Sequence, residues 1–182
     1  MATQHLLALG HRDIAFIGGD KHNHAARERE KGYLEAIHAA GMRRRSAWVV
    51  HHPYKPDAGR RAMHDLCTAR KRRPTAVVVA NIHAALGALE GARELGLKVP
   101  DQLSVVAIHD WWISDYTRPK LTSLRMPQFQ MGREAMRMLH QRLSGQPGSD
   151  ITITDPGPKL IERGSTAPPP RRLVRAQLPE NR

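Results

Sequence analysis

The sequence predicts an α/β domain with an open, mainly parallel sheet and helices on both faces. Three observations carry this expectation. Apolar, β-branched runs of strand length alternate with stretches of helical periodicity. Those runs are continuously apolar, as strands covered on both faces are, rather than alternating apolar and polar. The connections between them are short, as in successive β-α-β units.

Residues 74–110 state the pattern most plainly. Ala76-Val77-Val78-Val79-Ala80 reads as a buried strand. Asn81 follows at once, and Asn is a preferred helix N-cap because its side-chain oxygen accepts an orphan backbone N–H. Ala85, Ala88, Leu89 and Ala92 then share a helical face, Gly96 sits where a left-handed C-cap is wanted, and Pro100 prevents continuation. Leu103-Ser104-Val105-Val106-Ala107-Ile108 is a second buried strand, ending on His109-Asp110. Parallel strands bring such polar ends to one edge, where open α/β sheets bind ligands.

Upstream, residues 3–9 form a short helix closed by Gly10, and residues 13–17 the first strand, ended by Gly18-Gly19. A loop over 20–25 carries His22 and His24 and leads into a helix over 26–40, with Tyr33, Leu34 and Ile37 apolar. Trp48-Val49-Val50 is the second strand, ending on His51-His52-Pro53-Tyr54. A helix starts at Pro56-Asp57, with Ala62, Leu66 and Ala69 on one face, and breaks at Pro74. Downstream, residues 121–126 read as a strand and 128–143 as an amphipathic helix. Residues 145–148 read as a linker, 151–153 and 159–162 as two short strands, and 166 onward as disordered.

The 182 residues suffice for one domain or slightly more, and 40% of them are hydrophobic, enough for a core. One cysteine, Cys67, excludes an internal disulfide framework and fits a reducing cytoplasm. No signal-peptide core and no apolar run of about 20 residues predicts export or a membrane span. The formal net charge of +12 comes from 29 basic and 17 acidic residues, clustered at Arg43-Arg44-Arg45, Arg70-Lys71-Arg72-Arg73 and a tail from Arg171 to Arg175. Such charge favours polyanions. Yet the clusters fall between helices and strands, where solvated charge is ordinary, and two Phe and three Tyr leave few platforms for stacking bases.

Candidate site residues lie just beyond the strand ends, namely Tyr54, Asn81, His109 and Asp110 with Asp20, His51 and His52 beside them, and Arg29, in the first turn of its helix, faces the same edge. Donors, acceptors and an aromatic face suit a small polyhydroxylated ligand. Each residue also has a plain structural role open to it. Asn81 can cap its helix, His109 can end a strand, Tyr54 can pack on its loop, and Arg29 can pair with Glu28 or Glu30. No dinucleotide fingerprint, Walker sequence or nucleophile elbow occurs, so no enzyme and no cofactor is expected. His22-x-His24 with His51-His52 lacks accompanying carboxylate or thiolate spacing, and no metal is expected. Cys67 reads as a small core residue.

His5-Leu6-Leu7-Ala8-Leu9-Gly10-His11-Arg12-Asp13-Ile14-Ala15-Phe16-Ile17-Gly18-Gly19 resembles the opening of the C-terminal subdomain of LacI/GalR-type transcription repressors. So do Ala26-Arg27-Glu28-Arg29-Glu30-Lys31-Gly32-Tyr33, the 74–110 unit, Leu121-Thr122-Ser123-Leu124-Arg125-Met126-Pro127, Gly132-Arg133-Glu134-Ala135 and Glu162-Arg163-Gly164-Ser165-Thr166. The resemblance runs over residues 3–168, and the order and spacing of its pieces make it specific. It implies a type I periplasmic-binding-protein-like effector domain whose N-terminal subdomain is largely missing. A small molecule between the subdomains would shift their orientation and so operator affinity. By matched motifs it gives Arg29, Tyr54, Asn81 and His109 as ligand contacts. Departures are Ile82 and His109 where the family carries acidic residues, leaving Asp110 as the nearest carboxylate, and Ala107-Ile108 before them. A neutral His offers one donor and one acceptor in place of a carboxylate's two acceptors, which turns the expectation from a plain hexose toward an anionic or less hydroxylated effector.

The resulting division is 1–119 as C-terminal effector-binding subdomain, 120–145 as a crossover strand and helix of the N-terminal subdomain with unpartnered apolar faces, 146–167 as return strands, and 168–182 as a disordered basic tail. The expected function is effector sensing and dimerisation in a cytoplasmic LacI-type regulator. Its effector would be a sugar, sugar acid or nucleoside-like molecule, its partner a second copy, and operator DNA would be reached only through a helix-turn-helix module missing from this chain. The alternatives are a stand-alone sugar-like binding protein and a basic protein associating with nucleic acid through its Arg clusters.

Overall fold

A computed structural model describes residues 1–43, 45–68, 73–148 and 150–170. The elements run α1 (Ala2–Ala8), β1 (Ile14–Gly18), α2 (His24–Ala39), β2 (Val49–His51), α3 (Pro56–Thr68), β3 (Ala76–Val79), α4 (Ile82–Glu94), β4 (Ser104–Ile108), β5 (Thr122–Arg125), α5 (Gln128–Leu143) and β6 (Lys159–Ile161). The six strands form one sheet in the order β2-β1-β3-β4-β5-β6. All neighbours are parallel except β5 and β6. The predicted α/β sheet is therefore the fold of the chain.

Strand alternation builds the core on both faces. Ile14 and Phe16 point into one apolar cluster with Leu6 of α1 and Tyr33 and Ile37 of α2. Ala15 and Ile17 point into the other, with Met63 and Leu66 of α3 and Ala85, Ala88 and Ala92 of α4. Because β1, β3 and most of β4 bury both faces, their sequences are apolar without alternation. Phe16 stacks on Tyr33 with ring centroids 5.1 Å apart, and the Tyr33 hydroxyl donates to the Ile14 carbonyl at 2.8 Å, so the ring is buried with its polar end satisfied.

Several boundaries differ from expectation. The helix expected from residue 26 begins at His24, because Asn23 Oδ1 accepts the Ala26 N–H at 3.1 Å and caps it. The second strand is displaced by one residue, since residues 46–48 form a 3₁₀ turn that buries Trp48. Residues 151–153 form no strand; only Lys159–Ile161 pairs, antiparallel to β5. The strand after Leu121 does not lie apart with an unpartnered face: it is the fifth strand of the same sheet, in register with β4 at Val106 and Thr122, and Leu121 is buried. The expectation of an unpartnered face holds for α5, which has no buried residue. Residues 166–167 are not loose, for Thr166 Oγ1 meets His5 Nε2 at 3.0 Å and the Ala167 carbonyl meets His11 Nε2 at 2.8 Å. Of the basic clusters, Arg44, Arg70-Lys71-Arg72 and the tail from 171 lie outside the described residues. Arg45 stacks its guanidinium 4.3 Å from the Trp48 ring centroid and pairs with Asp13 at 3.5 Å.

Candidate functional site

The strand order fixes where a site can form. From β1 the chain runs outward to β2, then returns to place β3 on the other side of β1. The connections leaving β1 and β3 therefore depart to opposite faces of the sheet, opening a crevice at their carboxyl ends. Residues 18–20 and 80–81 sit at this point, with 51–54 and 109–110 on either side.

Arg29, on the second turn of α2, reaches this crevice. Its Nη1 donates to the Ala80 carbonyl at 3.1 Å and to the Tyr54 hydroxyl at 3.3 Å, and its Nη2 lies 3.0 Å from His109 Nε2. The Tyr54 ring also lies under the guanidinium, 5.6 Å from centroid to Cζ. Gly19 lets Tyr54 come this close: a Cβ there would stand 2.3 Å from the ring's Cζ. The structure thus joins Arg29, Tyr54 and His109 directly. Arg29 does not take Glu30 as its partner, because Glu30 Oε2 meets His51 Nε2 at 2.8 Å.

His109 has a φ of +71°, the only non-glycine residue with a positive φ among those described. The left-handed region is uncommon for a side chain outside Gly, Asn, Asp and His. Burial, and then the Arg29 charge beside it, hold its pKa below the usual histidine range. The ring is therefore neutral at pH 7. Arginine N–H groups only donate, so Nε2 accepts and the ring proton rests on Nδ1.

Asn81 sits beside this cluster and caps α4: its Oδ1 accepts from His83 N at 2.8 Å and from Ala84 N at 3.4 Å. The cap uses the carbonyl oxygen and leaves the amide Nδ2 out of it.

Asp110 turns away from Arg29. Its Oδ1 accepts from Ser123 Oγ at 2.6 Å and Arg163 Nη1 at 2.8 Å, and its Oδ2 from Arg125 Nε at 2.8 Å. Burial alone would raise its pKa, but the bonds from Arg163, Ser123 and Arg125 outweigh it and hold the carboxylate below its usual range. Arg163 continues to Asp115 at 2.9 Å. Both Asp110 oxygens are thus spent on tying β4 to β5 and to the segment after β6. Arg163 and Arg125 carried no site signal in the sequence, since their partner is set by strand register.

Two cavities flank the crevice. One of about 290 Å³ lies beyond β1 and β2, lined by Asp20, Lys21, His22, His51, His52 and Pro53. His52 pairs there with Asp65 at 3.5 Å. A larger one of about 620 Å³ lies between Trp111, Trp112, the start of α5 and Pro156. Its aromatic rim was not singled out as a site from the sequence. His83, Trp111, Trp112 and Tyr116 stand edge to face in series, with centroids 5.7, 5.9 and 5.8 Å apart. Among the described residues no group of three or more His, Cys, Asp or Glu side chains is placed to hold a metal. Cys67 is half-buried, and burial pushes its thiol up to about 11, a poor nucleophile at neutral pH.

Residues 3–166 match the family described as periplasmic binding protein-like domain. The HTH-type transcriptional repressor PurR of Yersinia enterocolitica is 37% identical over 175 residues, covering 96% of this chain and 51% of its own length. The crystal structure of a LacI family transcriptional regulator from Mycobacterium smegmatis superposes with a TM-score of 0.88 at 44% identity, over 92% of this chain and 62% of that one. The transcriptional regulator CelR in its cellobiose complex superposes with a TM-score of 0.83 at 35% identity, over 90% and 50%. The chain spans about half the length of the curated relatives it matches.

Proposed function

From the premise that the chain belongs to the periplasmic binding protein-like domain family, with LacI-family regulators among its relatives, we propose that it is the effector-sensing part of a transcription regulator and not an enzyme. The observation that carries this reading is the convergence of Arg29, Tyr54 and His109 at the switch point of the sheet, with Asn81 adjoining. These groups present hydrogen-bond donors and an aromatic face to one small polar molecule. A relative of similar fold is a complex with cellobiose, which supports a sugar, sugar acid or nucleoside-like effector. Asp110 serves this site as a structural carboxylate that fixes the end of β4, and it does not touch the effector.

In this reading a second copy pairs with the chain, and operator DNA is read by sequence outside the 175 residues shared with the repressor relatives. Effector binding biases the orientation of the parts that flank the site, and that bias is the signal. The work belongs to the cytoplasm, where operators are; none of the described helices is long and apolar enough to cross a membrane.

Thermal-shift screening of cellobiose, glucose, glucuronate, gluconate, inosine and guanosine tests the reading. Ligand at 100 times its Kd adds about 2.7 kcal/mol to folding, a rise of several degrees in Tm. Arg29→Ala should cut that affinity at least tenfold. A panel without any shift, or a shift that Arg29→Ala leaves intact, overturns the proposed site.

A further inference from the structure

Resting on the effector reading, we propose that the ligand carries a compact oxyanion, a carboxylate or a phosphate, that seats against Arg29 and His109. The recorded partners of Arg29 are a phenol hydroxyl, a backbone carbonyl and an imidazole, all uncharged. Among the described residues no carboxylate lies within ion-pair distance of it. Two carboxylates beside the cluster in sequence are committed elsewhere, Glu30 to His51 and Asp110, which follows His109, to Arg163, Arg125 and Ser123. A half-buried guanidinium whose partners are all neutral has lost part of its hydration and gained dipoles and a ring face but no opposite charge.

The hydrogen-bond count points the same way. A guanidinium has five N–H groups. Two on Nη1 serve Tyr54 and Ala80 and one on Nη2 serves His109, which leaves the Nε–H and one Nη2–H. A carboxylate or phosphate takes two such donors together. His109 adds a donor and no lone pair, because its Nε2 is used on Arg29 and its proton sits on Nδ1. A sugar hydroxyl approaching these groups can only accept, so its own proton goes unmatched there, whereas an oxyanion is matched in full. The adjoining cavity is lined by Lys21, Asp20, His22, His51 and His52, with His51 held by Glu30 and His52 by Asp65. Asp20 Oδ1 is already accepting the His22 backbone N–H at 2.9 Å.

The test is calorimetric titration of the full chain with glucose, glucuronate, glucose 6-phosphate and inorganic phosphate at constant ionic strength. Glucuronate or glucose 6-phosphate should bind at least tenfold tighter than glucose. Which of the two leads separates a carboxylate ligand from a phosphate one, and protection by inorganic phosphate places the anion seat itself. His109→Asp supplies the missing counter-ion and should lower anion affinity at least tenfold without lowering that for glucose. Arg29→Gln is the second variant, which removes the charge while keeping donors, and it should abolish the preference even where His109→Asp folds poorly. Glucose binding as tightly as its charged counterparts overturns the proposal, as does a preference that survives both variants. Arg29-dependent binding of a neutral sugar or nucleoside alone overturns the charge assignment and leaves the effector reading standing. Binding of nothing in either set of compounds overturns both.

Discussion

His11 has no exposed surface and meets three segments at once. Its Nδ1 lies 2.9 Å from Thr75 Oγ1, and its Nε2 lies 2.8 Å from the Ala167 carbonyl and 3.1 Å from Ser104 Oγ. A carbonyl only accepts, so Nε2 carries the proton and Nδ1 accepts from Thr75. The ring thus joins the loop before β1 to the loop before β3, to the first residue of β4 and to the segment at Ala167. Truncating it leaves buried partners unsatisfied, so His11→Ala should cost about 2–3 kcal/mol by urea denaturation. A loss under about 0.5 kcal/mol would show that water replaces the ring at no cost. The same residue makes stability depend on pH. Burial holds His5, His11 and His109 below the ordinary histidine range in the folded chain. The unfolded chain takes up these protons near pH 6.5, so their contribution is fully present above that value and is lost as the pH falls through it. Tm should therefore decline as the pH falls below about 6.5, and His11→Ala should shallow that decline. A Tm that rises on acidification to pH 5.5 would contradict it.

At the scale of elements, α3 and α4 cross with almost no side chain between them. A Cβ on Gly87 would stand 1.7 Å from the Pro56 carbonyl oxygen, and one on Gly59 1.9 Å from that of Ala84. Both obstacles are backbone, which cannot swing aside as a side chain can. Glycine in a helix interior otherwise costs up to about 1 kcal/mol against alanine, so close packing is what retains it here. Gly87→Ala should lose about 3 kcal/mol, while Gly32→Ala, mid-α2 with nothing within 4 Å, should gain about 0.5–1 kcal/mol. Denaturation of both variants checks this, and a gain at Gly87 would mean that the helices separate freely. Such crossings mark the limit of a sequence reading. Asn81 as cap and Gly96 as left-handed terminus, observed with a φ of +67°, were legible because a local residue type sets a local conformation. Of the candidate site, the polar strand ends and the α2 residue Arg29 were legible, and Arg29, Tyr54 and His109 meet. Asp110 was not legible as a structural carboxylate, because Arg125 and Arg163 come from 15 and 53 residues away through the pairing of β5 with β4 and β6. The strand misplaced at 151–153 has the opposite cause: its alternation is local, and the segment pairs with no strand of the sheet.

Over the whole molecule, order is unevenly distributed. The strands β1, β3 and β4 and the faces of α3 and α4 form two apolar clusters around the sheet. α5 belongs to neither: Phe129, Met136, Leu139 and Leu143 follow one another at helical spacing and are all at least half exposed. An i,i+3 pair between Glu134 and Arg137, 2.7 Å apart, adds only a few tenths of a kcal/mol to it. Helices of about 12–15 residues are marginal in water without tertiary packing, and α5, at 16, is scarcely longer. Its stability in the isolated chain is therefore local, whereas that of α4 is tied to the core. Hydrogen exchange at low micromolar concentration should show α5 amides replaced within seconds to minutes and the buried stretch of α4 protected at least a thousandfold longer. Raising the concentration discriminates the causes of any protection. If α5 is slow only at high concentration, a second copy covers its stripe, in keeping with the proposed pairing. If α5 is as slow as α4 at every concentration, the helix docks on its own chain, and the exposed stripe is not its state in solution.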